Sequence, residues 1–462
     1  VSESTLRATS HAHRLTAEPS AEAPVAIVGA GLAGLVAARE LRRRGVPIAV
    51  YEAGSTIAGL ARSFVDAEGF TYDFGAHFIT NRLADAIGIS QRCRVVRTYG
   101  ETLLLNGRRY SYPFGLVKQP RFVASALGQR ARGLARSLRG EMSTPASAAD
   151  WFRAEYGPRL ADEIALPLLE AWSGIPASKL APSVGEKMQR GVLHALSLRL
   201  ASRVMRRAIA NGYCREKPES IRVWHVYPEG SLGSLCDHLA QGLDDAIHLE
   251  SPVEAIYVED ERVTGLRVAG RDVAASAVLS TAPVHILARL VKGTTALEPL
   301  RRFRYRAMVF VNLRLEGRRL LPDIVTWTPD PQLPFFRLTE APIAMPWLAP
   351  AGKTVITVDL GCDVGDAIWT MEESALTSLV LEHLERIVPG VRGRLLGARV
   401  LRTPVAYPVF LREYEADRQR FERSTGVEGL MSIGRNGEFA HLLMEDVYWR
   451  TMRRVDELLT AR

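Results

Sequence analysis

The sequence predicts an α/β fold in which one parallel sheet is interleaved with a mixed α+β unit. Three observations predict it. Near the start, "VAIVGAGLAGLVAARELRRRGVPIAVYEA" (residues 25–53) reads as strand, glycine turn, helix and second strand. Far downstream, short apolar strands closed by turn signals recur around 252–283 and 430–437. Between them lie two long stretches of different character: roughly 85–225 is mostly helical, and roughly 290–415 carries alternating strands. A chain of 462 residues also exceeds one ordinary core, which suits two domains.

Bulk properties set outer bounds. Hydrophobic residues make up 47% and charged residues 24%, close to the soluble globular average. No apolar run reaches the roughly 18 residues needed to cross a bilayer. The polar opening, residues 1–23, lacks the apolar stretch of a secretory signal and reads as a loose tail. Cys93, Cys214, Cys236 and Cys362 lie far apart without a CxxC pair, which argues against zinc or a disulfide framework. A reducing, cytoplasmic setting and no metal are therefore expected. A net charge of +8 suits phosphate-bearing ligands, nucleic acid or an anionic membrane, and chooses none of them. No nucleic-acid partner is expected.

The elements follow in order. Val25–Val28 is a short apolar run suited to a buried parallel strand, and Gly29, Gly31 and Gly34 complete GxGxxG. Gly29 permits the tight turn, and Gly31 lets a pyrophosphate approach the backbone. Leu32 and Ala33 begin a helix whose N-terminus faces that negative charge, while Gly34 lets the helix pack close on the strand. Ala38 and Leu41 continue the helix's apolar face, Gly45 ends it, and Glu52 closes the second strand. A carboxylate there can accept both ribose hydroxyls of an adenosine and disfavours a 2′-phosphate, so NADP is not expected in this slot. A second glycine turn, Gly59-Leu60-Ala61, then brings backbone N–H groups and the Arg62 guanidinium to a pyrophosphate. "GFTYDFGAHFI" next supplies Gly75, Ala76 and His77. His77 reads either as a satisfied core histidine or as a residue touching cofactor or substrate.

These segments resemble the flavin-containing amine oxidase superfamily, with its GGxxxS stretch after the acid and its D-x-G-x-H loop. Protoporphyrinogen oxidases, carotenoid desaturases and UDP-galactopyranose mutases belong to that broad group. The resemblance implies FAD, with Glu52 and Ala53 at the adenosine and the 75–77 loop against the isoalloxazine ring. The chain departs from the pattern at Ala58, where the first glycine of a pair is usual, and at Ala76, where the mutases carry GGH. Each departure adds one methyl group.

Two later segments extend the resemblance. Residues 252–283 alternate strand and turn; they are either an ordinary β-meander or the family's return to the FAD domain. The resemblance has Val253 covering the adenine, with Thr281 and Ala282 near the cofactor. A final strand then ends at Gly434-Arg435-Asn436-Gly437, and a helix begins near Met444, Glu445 and Asp446. Its N-terminus either faces the flavin edge that gathers negative charge on reduction or merely packs. The implied division is a Rossmann-type FAD-binding domain in three parts (24–85, 226–289, 416–462). A substrate domain in two parts (86–225, 290–415) supplies a helical cap and an antiparallel roof.

Substrate candidates come from the roof. "PFFRLTE" offers Arg337 and "YPVFLREYE" offers Tyr407, matching an arginine and a tyrosine that contact the nucleotide-sugar diphosphate in the mutases. Arg435 suits flavin or substrate. Surface or strand-edge roles are the plainer reading of all three. Two arginine-rich helices, around 121–139 and 196–210, read as solvated basic faces, with contact to an anionic membrane as the less common alternative.

Three functions follow. The leading one is an FAD-dependent oxidoreductase taking a hydride from a small organic substrate at flavin N5, with His77, Arg337 and Tyr407 as candidate catalytic groups. No second complete GxGxxG is present, so reoxidation by O2 or another acceptor is expected rather than a bound NAD(P)H. The second is a redox-neutral mutase acting on a phosphorylated compound or nucleotide sugar. It is weakened where the mutases' "NMD"-type stretch reads "LLMED". The third is a flavin-binding protein without turnover.

Overall fold

The computed structural model describes residues 23–141, 144–187 and 192–460; the expected tail, residues 1–23, lies outside them except for Ala23. The chain builds its two largest sheets alternately. Strand β1 (Val25–Val28), helix α1 (Leu32–Arg43) and strand β2 (Ile48–Tyr51) come first. The chain then leaves for strands β3 (Glu101–Leu105) and β4 (Arg108–Tyr112) and helices α2 (Pro120–Leu138) and α3 (Val192–Met205). It returns with β5 (Ile247–His248) and β6 (Ala277–Ser280), and leaves again for β7 (Tyr305–Glu316) and β8 (Val325–Trp327). Strands β9 (Arg337–Thr339), β10 (Lys353–Cys362) and β11 (Leu395–Pro408) complete that excursion. The chain finishes with β12 (Leu430–Ser432) and helix α4 (Met444–Thr460).

The first sheet is parallel throughout, in the order β5-β2-β1-β6-β12. Strands enclosed on both faces read as continuous apolar runs, which is why Val25–Val28 shows no alternation. Val25, Ile27, Leu35 and Val50 are fully buried, each contributing about 2 kcal/mol of hydrophobic stabilisation. Helix α1 packs on one side, its approach set by Gly34. A Cβ on Gly34 would lie 1.9 Å from the Gly29 carbonyl oxygen.

The second sheet has the order β11-β7-β10-β9-β8-β3-β4 and is antiparallel except where β8 meets β3. The β3–β4 hairpin was not foreseen in a stretch expected to be mostly helical. It turns on Asn106-Gly107, both at positive φ, the pair that such tight turns favour. In the helical cap, Ser147 caps the helix Ala148–Tyr156, its hydroxyl accepting the Asp150 N–H. The segment Val253–Glu259, Arg262–Val268 and Arg271–Ala274 is an antiparallel meander. No helix among the described residues is long and apolar enough to cross a membrane.

Candidate cofactor and substrate site

The glycine turn is built around its own hydrogen bonds. Gly29 sits at φ 96°, and a Cβ there would meet Thr281 Oγ1 at 2.2 Å. Thr281 in turn donates to the Val28 carbonyl at 2.8 Å. Gly31 has nothing within 4 Å of a built Cβ, so one side of the turn is open at the N-terminus of α1. Glu52 accepts from Ala30 N at 2.7 Å and Gly54 N at 2.8 Å, holding its carboxylate at the end of β2. Its own carbonyl accepts from Ser251 N at 2.8 Å, which draws the start of the meander up to the acid. Ala58 adopts φ 83°, a left-handed conformation, and its N–H donates to the Ala30 carbonyl. That geometry is the physical reason glycine is usual at this position, and alanine holds it at a strain of about 1 kcal/mol.

The loop Asp73–His77 faces the roof. At Gly75 (φ 89°) a Cβ would lie 2.8 Å from Arg337 Nη2 and 3.2 Å from the Phe310 ring, so only glycine admits both. Arg337 donates through Nε and Nη2 to the fully buried Asp359 Oδ2, the Nε bond at 2.8 Å, and lies 5.5 Å above the Trp327 ring. Burial works against the Arg337 charge, yet the Asp359 carboxylate beside it lifts the pKa above the usual arginine range. Burial, then the charges of Arg337 and Arg435, push His77 down to about 3, so its imidazole is neutral. Its Nδ1 is buried and unbonded among the described residues.

The third wall comes from the chain's end. Gly434, at φ 80°, would bring a Cβ within 2.7 Å of the Ala33 methyl, locking this turn against α1. Arg435 lies 4.8 Å over the Tyr407 ring, donates weakly to the Leu442 carbonyl at 3.4 Å, and leaves Nε buried without a partner. No carboxylate pairs with it among the described residues. Burial pulls its pKa down. Tyr407, Trp172 and His441 form an aromatic cluster with ring centroids 5.1–5.6 Å apart.

These walls enclose a cavity of about 360 Å³. Of the residues singled out from the sequence, Gly29, Gly31, Leu32, Ala33, Glu52, Gly59, Leu60, Ala61, Ala76, His77, Thr281, Gly434, Arg435, Met444, Arg337 and Tyr407 line it. Others do not. Gly34 is spent on helix packing, and Gly75 borders a smaller space behind the loop. Ala53 is exposed beyond β2, and Ala282 is held by its N–H to Ser280 Oγ. Arg62 is turned to Thr56 Oγ1 and the Phe64 ring, and Val253 packs half-buried in the core beneath the meander. Glu445 and Asp446 need correcting most. The Glu445 carboxylate binds Thr80 and Arg82, and Asp446 accepts the Arg215 and Glu216 N–H groups, so both pin α4 to its neighbours. Phe74, Phe310, Thr403, Asn436 and His441 also line the cavity and were not foreseen.

The donor set suits a dinucleotide. An open glycine turn at one helix N-terminus, a carboxylate at the strand end and a second helix N-terminus at Met444 surround one space. The orphaned Arg435 Nε and Asn436 Oδ1 mark the polar end.

The family model for flavin containing amine oxidoreductases matches residues 32–435. Among solved structures, reduced UDP-galactopyranose mutase superposes with a TM-score of 0.74 at 19% identity, covering 95% of this chain and 96% of that one. A putative protoporphyrinogen oxidase from Exiguobacterium sp. 255-15 gives 0.70 at 18% identity, covering 95% and 99%. Matches to curated sequences are local. The zeta-carotene desaturase of Synechocystis sp. is 36% identical over 91 residues, 18% of each chain. The flavin-containing monooxygenase FMO GS-OX-like 2 of Arabidopsis thaliana is 56% identical over 43 residues, 9% of each. The chain thus spans less than a fifth of these relatives' length. With the family model spanning most of the chain, the protein belongs to the flavin-containing amine oxidoreductases, and its cofactor is FAD.

Proposed function

We propose that the protein oxidises a small organic substrate bearing an anionic group, removing a hydride from a C–H or N–H bond. The single observation that carries this reading is the buried Arg435 guanidinium, which faces the cavity without a carboxylate, while Arg337 beside it is already neutralised by Asp359. A buried cation without a counter-charge is costly, and an anionic ligand offsets that cost. Bound FAD supplies the two-electron acceptor. The residues hold and orient. Gly31, Gly59 and the N-terminus of α1 would hold the pyrophosphate, and Glu52 would hold the ribose. Met444, at the start of α4, would present that helix's positive end to the ring. His77, neutral at ordinary pH, is a wall group and a hydrogen-bonding partner rather than a proton donor. Tyr407, Trp172 and His441 close the substrate side and exclude water.

A second reading, a redox-neutral rearrangement of a phosphorylated sugar, draws on the same two arginines, whose forks suit a diphosphate. Anaerobic mixing of the FAD-loaded protein with candidate anionic substrates separates them. Loss of the oxidised flavin absorbance, with turnover requiring an electron acceptor, supports oxidation. Sustained turnover by pre-reduced protein with no acceptor present supports rearrangement and removes the first reading.

A further inference from the structure

A helix packed on a protein by one face turns its leucines toward that protein. Helix α2 does this only at its start, where Phe122 is buried. Leu127, Leu134 and Leu138 are exposed at 60%, 63% and 81%, and Val123 is exposed with them. Their spacing sets all four on one stripe about 60° wide, while Arg132, Arg136 and Arg139 fall on the opposite face. Helix α2 contains no Asp or Glu. Among the described residues Arg130, Arg132, Arg136 and Arg139 form no ion pair.

Helix α3 repeats the arrangement. Leu198 and Arg199 are buried, whereas Leu200, Val204 and Met205 are exposed. Arg203 lies 4.6 Å over the ring of Phe114, in the helical turn Phe114–Val117 that leads into α2, so the two helices share one surface. On its inner side Arg199 binds Glu101 at 3.1 Å, and Glu101 accepts from Trp327 Nε1 at 2.7 Å, beneath Arg337. The surface is thus anchored to the wall that carries the cavity arginine.

A solvated basic face explains the arginines but leaves the leucines in water. A second copy of the chain would cover the leucines but bring the exposed Arg130, which flanks the stripe, against its like, and would leave the arginines of the opposite face unneutralised. An anionic lipid surface satisfies both, taking the apolar stripe into the acyl boundary and the guanidinium groups among the headgroups. We propose that α2, the turn Phe114–Val117 and α3 dock the protein on the surface of an anionic bilayer. The inference is independent of the reaction proposed above.

The test is co-sedimentation of the FAD-loaded, full-length protein with phosphatidylcholine vesicles, alone or mixed with phosphatidylglycerol. Binding to the mixed vesicles, at least about tenfold stronger than to phosphatidylcholine alone and weakened by salt, is expected. The triple substitution Leu127→Gln, Leu134→Gln, Leu138→Gln lowers it about tenfold with flavin content and melting temperature unchanged. No binding to the mixed vesicles at low salt overturns the proposal. So does binding that the leucine substitutions leave intact, which would be charge attraction alone. Sedimentation velocity showing a dimer that the same substitutions abolish would assign the stripe to a second copy instead.

Discussion

Arg337 and Asp359 stand opposite each other on β9 and β10, and both guanidinium donors converge on one oxygen, Oδ2, leaving Oδ1 without a partner. Asp359 is fully buried, so this pair fixes Arg337 at the cavity wall rather than at the surface. Replacing Asp359→Asn strands a buried cation and lowers stability by about 3 kcal/mol in denaturant titration. Combining Arg337→Met with Asp359→Leu recovers most of that loss while removing the cavity group.

Arg435 behaves in the opposite sense. Because it lacks a carboxylate, Arg435→Met stabilises the ligand-free protein by about 1 kcal/mol or more. The same change lowers affinity for an anionic probe such as pyrophosphate at least about tenfold. Thermal shift with and without pyrophosphate reads both effects, and a wild-type protein indifferent to the anion would remove Arg435 from substrate binding.

Two glycines of one motif separate binding from folding. Gly31→Ala fills open space, so the apoprotein keeps its stability while FAD affinity drops about tenfold or more. Gly34→Ala drives a methyl into the Gly29 carbonyl and costs about 3 kcal/mol or more before any cofactor is considered. Flavin titration beside denaturant unfolding distinguishes the two.

Asp73, half-buried at the end of its strand, has a carboxyl pushed up to about 6 by burial, against hydrogen bonds from Ser63 and Tyr227. A carboxyl with a raised folded pKa favours folding most when protonated. Its contribution is full below the unfolded pKa near 3.8 and is lost as pH rises through about 6. The span is about 3 kcal/mol. Unfolding measured between pH 4 and pH 7 carries this slope, and Asp73→Asn flattens it.

The cofactor half of the site was legible because its chemistry is written in backbone geometry: Gly29, Gly31, Gly34 and Glu52 sit at fixed offsets along one local unit. The roof was less so. Phe310 and Thr403 occupy ordinary alternating positions on β7 and β11, and only the pairing register decides that they face a cavity. Asp359 did carry a signal, an acid inside the apolar run of "KTVITVDLG", but its partner lies on a separate strand. Glu445 and Asp446 misled for a different reason. Acids in a helix's first turn complement its dipole whether or not a ligand lies ahead, and here they bind neighbouring segments.

The order of strands in the first sheet also bears on how the protein is made. The sheet's middle, β1 beside β6, and its far edge, β12, are translated at widely separated times. A nascent chain leaving the ribosome therefore exposes the unpaired flank of β1 until the excursions between have folded. Vitamin-derived nucleotide can be captured in full only once β12 and α4 have emerged, so shortage of riboflavin would leave a chain made that far vulnerable to proteases.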